Sequence, residues 1–86
     1  ILMSQFENLH VTIISPERTL FDAKVEAVFV PGEKGRFEIL ENHAPILSSL
    51  EAGTIVCVGD NAFEINISAG FVEVKKNKVT LCVETA

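Results

Sequence analysis

The chain has no tryptophan and no tyrosine, and among its 86 residues only two cysteines, three prolines and seven basic residues. Each scarcity excludes something. Two cysteines make no disulfide framework. Cys57 and Cys82 each sit inside an apolar strand pattern, which predicts buried free thiols. Seven basic against twelve acidic residues leave a net charge of −5, the wrong sign for a nucleic-acid binder. Lys75, Lys76 and Lys78 are the one basic cluster, and beside a turn at Asn77 they read as the solvated tip of a hairpin. No apolar run approaches the roughly 20 residues of a membrane helix. The opening residues show neither the basic start nor the long apolar core of a secretory signal. Helical periodicity is absent too, and Ala44 to Leu50 is given at most one helical turn.

What is present is strand chemistry. Hydrophobic residues make up 48% of the chain, enough for a core and too many for a disordered segment. His10 to Ser15 alternates, with Leu9, Val11 and Ile13 on one face. Ser15-Pro16-Glu17 breaks it, Arg18 to Phe21 is a short extended piece, and Lys24 to Val30 is the next strand. Thr54 to Val58, Ala62 to Ser68, Phe71 to Val74 and Lys78 to Glu84 complete the series. Gly59-Asp60-Asn61 and Lys75 to Asn77 supply turn residues that accept positive φ. Gly70 interrupts without ending the sheet, which predicts a bulge or corner. Short strands at about ten-residue spacing predict an all-β fold, a sandwich of two roughly five-stranded sheets, in one domain over 1–86. The expected core is Val11, Ile13, Val25, Phe29, Phe63, Ile65, Ile67, Leu81 and Val83. Several strands are apolar on both faces, which predicts an outer docking patch.

Catalytic and cofactor chemistry finds no footing. His10, His43, Cys57 and Cys82 are spread singly, without the spacing of a metal site. A cupin-type barrel needs a His-x-His pair, and His43 is followed by Ala44-Pro45. Neither Ser48 nor Cys57 sits in a nucleophile elbow. Gly32-Glu33-Lys34-Gly35 puts an acid where a P-loop needs backbone donors, and it leads into a strand. No catalytic residue, cofactor site or metal site is assigned.

The stretch from Phe29 to Gly53 organises the rest. Pro31-Gly32 ends a strand, Phe37, Ile39 and Leu40 form a short one, and Asn42-His43-Ala44-Pro45 turns sharply. Pro45 forbids helix at Ala44, and Asn42 tolerates a left-handed backbone. Pro-Gly, Gly-x-Phe-x-Ile-Leu, His-Ala-Pro-x-Leu and Leu-x-x-Gly, in that order, resemble the signature of the epsilon subunit of F-type ATP synthases. Val11 to Glu17 with Leu20-Phe21, Val25 to Pro31, Ser68 to Val74 and Asn77 to Val83 extend the likeness over nearly all of Leu9 to Ala86. Glu38, Glu41-Asn42 and Ala69 depart from that pattern, each where the family often has glycine or Pro-Gly.

The resemblance implies a non-catalytic rotor subunit with no cofactor. Its partners would be the gamma subunit and the c subunits of the rotor ring, linking proton-driven rotation to ATP synthesis. It would sit at the cytoplasmic face of a bacterial inner membrane without inserting into it. Ser15, Arg36 and His43 would face the ring from one loop end. Outward Val28, Val56 and Val72 would form the gamma-docking face. The chain ends at Ala86, short of the family's C-terminal helical hairpin, so inhibition of ATP hydrolysis is not expected of it. From the residues alone, a free-standing sandwich that binds proteins or a small ligand stands as the alternative.

Overall fold

In the computed structural model, residues 8–86 are described; the expected domain begins at residue 1, so its first seven residues lie outside them. Eight strands follow one another: β1 (Leu9–Ile14), β2 (Thr19–Val25), β3 (Ala27–Gly32), β4 (Gly35–Ile39), β5 (Ile46–Leu50), β6 (Gly53–Val58), β7 (Phe63–Lys75) and β8 (Lys78–Thr85). No helix occurs among the described residues. Hydrogen bonding runs in the order β2-β1-β8-β7-β5-β3-β4, and β6 bridges β3 and β7.

One layer is β2-β1-β8-β7-β5, in which β1 and β8 run parallel and the other neighbours antiparallel. The other is β4-β3-β6 with the first part of β7. Thirteen-residue β7 therefore serves both layers. Phe63 to Ile67 pair with β6, and Gly70 to Val74 pair with β5 and β8. The ladder slips between Ile67 and Ala69, which is the corner expected at Gly70. Gly70 itself lies close to β8. A Cβ there would sit 2.6 Å from the Cys82 carbonyl oxygen and 3.2 Å from Val83 Cα. The expected sandwich is present, though as one continuous eight-stranded sheet folded into two layers that share β7, and not as two separate five-stranded sheets.

Alternation in the sequence fills the space between the layers. Leu9, Val11 and Ile13 of β1, Val79, Leu81 and Val83 of β8, and Val72 and Val74 of β7 come from one side. Val28, Val30, Ile39, Ile55, Cys57 and Ile67 come from the other, and all belong to one buried cluster. Phe63 and Ile65 pack against it half-buried.

Four expectations need correction. Ala44 to Leu50 forms no helical turn; Ile46–Leu50 is strand β5, held to β7 from Ile46↔Val74 to Leu50↔Gly70. Lys24 to Val30 is two strands, because the chain bends at Glu26 as it passes from one layer to the other. That bend reverses the side-chain parity beyond it. Phe29, expected in the core with Val25, faces outward half-buried, while Val28 is fully buried against Ile39 and Cys57. Val72, also expected outward, is fully buried beside Leu81.

Candidate docking face

Strand pairing arranges the outer surface of the β2-β1-β8-β7-β5 layer in rows, because residues opposite one another on adjacent strands share a face. One row reads Ile14, Cys82, Phe71, Ser49 across β1, β8, β7 and β5. The row below reads Asp22, Thr12, Thr80, Glu73, Leu47 from β2 to β5. Leu47 is 72% exposed and Phe71 47% exposed. Two shallow depressions meet at Phe71. One is lined by Ile14, Pro16, Ala69, Cys82 and their neighbours, the other by Leu47, Ser48, Ser49 and Gly70. Leu47, Phe71 and the partly exposed Ile14 and Cys82 put apolar surface together on one face, and covering it would gain hydrophobic stabilisation, so this face is the candidate docking surface.

The outer surface of the second layer is less exposed. Phe29 pairs with Val56 at its centre, both half-buried, with Glu38 beyond Phe29 and Glu64 beyond Val56. Of the three valines assigned to a docking face, Val56 alone points outward. The sequence did carry the signal for Phe71: it shares parity with Glu73 and Lys75, while Val72 and Val74 share the other. Leu47 likewise has the parity of Ser49, opposite Ile46, Ser48 and Leu50.

Ser15, Arg36 and His43 do not gather. Ser15 closes the β1–β2 turn: its hydroxyl oxygen accepts from the Glu17 and Arg18 amides at 3.3 Å, and its own amide donates to the Arg18 carbonyl at 2.8 Å. Arg36 lies on edge strand β4, where Nη1 donates to the Thr54 carbonyl at 2.6 Å. His43 Nδ1 donates to the Ala44 carbonyl at 2.8 Å. Its loop is tied to the opposite end of β1, because the Asn42 amide donates to Asn77 Oδ1 at 2.6 Å and the His10 amide donates to the Asn77 carbonyl at 2.9 Å. Ser15 and His43 thus lie at opposite ends of a six-residue strand, about 20 Å apart. The expectation that all three share one loop end is corrected.

Electrostatics add little chemistry. Asp22 is held below its ordinary value by its hydrogen bond and ion pair with His10, with Thr12 and Lys78 assisting. Burial pushes the Cys57 thiol up to about 11, which leaves it protonated and inert. Cys82 is free and half-exposed on the outer face, against the expectation that both thiols are buried. No group of three or more His, Cys, Asp or Glu is placed to hold a metal among the described residues. No helix there is long and apolar enough to cross a membrane.

Residues 8–86 match the family described as ATP synthase, Delta/Epsilon chain, beta-sandwich domain. The chain belongs to that family. Among curated relatives, the ATP synthase epsilon chain of Nitratidesulfovibrio vulgaris is 42% identical over 81 residues, covering 93% of this chain and 60% of the relative. That of Desulfitobacterium hafniense is 44% identical over 75 residues, covering 86% and 57%. The chain therefore spans about three fifths of the length of the epsilon chains it matches. Among solved structures, a chain in the Euglena gracilis mitochondrial ATP synthase assembly of OSCP, F1 and c-ring superposes with TM-score 0.79 at 17% identity. The match covers 90% of this chain and 51% of that one. At that identity the likeness shows the fold alone.

Proposed function

We propose that this chain is the sandwich part of a non-catalytic central-stalk subunit of an F-type ATP synthase. It docks on the gamma subunit and touches the rotor ring, so that proton-driven rotation is passed to the ATP-making head. Family membership and the epsilon-chain names of the relatives support the assignment. A solved assembly of similar fold is titled central stalk and c-ring. The bacterial relatives support a place at the cytoplasmic face of the inner membrane, reached through the complex rather than by insertion.

The exposed pair Leu47 and Phe71 carries the docking reading. The gamma-binding face is the outer surface of the β2-β1-β8-β7-β5 layer around Phe71, Leu47, Cys82 and Ile14, in place of Val28 and Val72. Val56, beside Phe29 on the opposite surface, is left for a second and smaller contact. Of the residues tied to the ring by resemblance, Arg36 beside the β3–β4 turn is kept for that contact, while Ser15 and His43 hold turns. The deciding measurement is binding of the cognate gamma subunit to the wild-type chain and to Phe71→Asp and Leu47→Asp. A carboxylate desolvated at the interface costs several kcal/mol only in the complex, so both variants should stay folded and lose affinity. Wild-type affinity in both would end the reading.

A further inference from the structure

The outer face bearing Phe71 has a second character at its other end. His10 pairs across with Lys24 on β2 and with Lys78 on β8, and Lys78 faces Lys75 on β7. Lys24, His10, Lys78 and Lys75 therefore form one continuous row over four strands, about 14 Å long. Lys76 continues it at the turn, where its φ is 51°. The chain has seven basic residues and a net charge of −5, yet four of those seven stand at this one edge of one face. Lys75, Lys76 and Lys78, with Glu73 and Thr80, line a shallow depression there.

Such a row works against the fold. Like charges directly opposite on paired strands repel, and Lys75 and Lys78 are directly opposite. The one ion pair on this face among the described residues joins His10 to Asp22, so the lysines are left with only the longer-range pull of Asp22 on Lys78. A surface shaped for solubility alone would mix the signs along the row.

We propose that this lysine row receives an acidic segment of the protein that covers Phe71. This rests on the docking reading above and adds the chemistry of the partner. The row lies four residues along the strands from Phe71 and Cys82, a distance of about 13 Å. A helix laid along the strands spans that in about nine residues. The partner segment thus carries an apolar side chain over Phe71 and carboxylates roughly nine residues away. The intervening row favours a protein over an anionic bilayer. Asp22 and Glu73 sit in it, and they would repel a continuous sheet of lipid phosphates while leaving a single file of carboxylates free to reach the lysines.

The test titrates the full chain with the cognate gamma subunit over a series of salt concentrations. It compares wild type with the double variant Lys75→Glu/Lys78→Glu, with Lys24→Glu, and with Lys34→Glu as the same charge change on the β3–β4 turn. Circular dichroism checks that each variant is folded, and Lys75→Gln/Lys78→Gln removes charge without reversing it should the double reversal unfold. The row variants should bind at least about tenfold more weakly at low salt, with the gap closing as salt rises. Lys34→Glu should bind as wild type. If Phe71→Asp fails to bind while every row variant binds normally, the lysine proposal is overturned and the docking reading stands. If the wild-type chain does not bind gamma at all, both fall. Vesicles containing phosphatidylglycerol form the second arm: binding to them that the row variants lose, with gamma binding unchanged, would make the row a lipid site and overturn the proposal.

Discussion

Phe21 on β2 and Phe63 at the start of β7 stack with ring centroids 4.6 Å apart and planes 17° from parallel. They come from different layers, so the stack closes the sandwich where β2, an edge strand, would otherwise leave it open. Both rings are half-buried and pack on the main core. Phe63→Ala should therefore cost about 2–4 kcal/mol, somewhat below the range for deleting a fully buried phenylalanine. A double-mutant cycle with Phe21→Ala, read by urea unfolding, should give a coupling of about 0.5–1.5 kcal/mol. Strict additivity would show that the rings do not support each other.

Gly70 marks the closest approach of β7 to β8. Because an added methyl would press on backbone atoms of Cys82 and Val83, no rotamer change can relieve it. Gly70→Ala is expected to lose about 1–3 kcal/mol and to lower Tm by at least about 4 °C. An unchanged thermal melt would mean that the two strands part easily at this point.

The two thiols should separate by chemistry. Cys57 is buried with its thiol pushed up to about 11, whereas Cys82 opens onto the depression beside Phe71. At about pH 8 a thiol reagent should label one cysteine in the folded chain and two after denaturation. Cys82→Ser should remove the native signal, and Cys57→Ser should leave it. Prior binding of gamma should slow the labelling of Cys82 if the docking face is assigned correctly.

Acid should weaken the fold partly through Asp22. Its folded value is depressed, chiefly by the hydrogen bond from His10. The stabilisation is therefore present above the ordinary value of 3.8 and is lost as pH falls through the lower folded value. Wild type and Asp22→Asn should differ in urea midpoint at neutral pH and converge once the medium is more acidic than the folded value. A gap that widens toward acid would contradict the sign of this effect.

Much of the sandwich could be read from alternation, because Leu9 to Ile13 and Val79 to Val83 each present every second residue to one core. The hairpin at Lys76-Asn77 was equally legible, since Asn77 accepts the positive φ that a type I′ turn needs, and the chain has φ 51° and 62° at the two positions. Facing was lost at Glu26. Parity runs unbroken through Lys24 to Val30 on paper, but a bend that carries the chain between layers swaps inside for outside, and Val28 and Phe29 exchange places. The outer patch was legible in kind but not in place. Apolar residues on both faces of a strand show that some must be exposed, and only the pairing partners show which. Of the lysine row only the cluster Lys75, Lys76 and Lys78 could be read, because Lys24 lies fifty-one positions from Lys75 and joins it only through the parallel pairing of β1 with β8.

β7 has a mechanical consequence. Here one unbroken strand is clamped by β6 along its first half and by β5 and β8 along its second. A push delivered at Phe71 travels through covalent backbone to Phe63 and the far layer. Pulled lengthwise, such a strand sets its crosswise hydrogen bonds to share the load together instead of opening one after another. Separating the two layers therefore means stripping the pairing from β7 along its whole length, and not merely opening a loop.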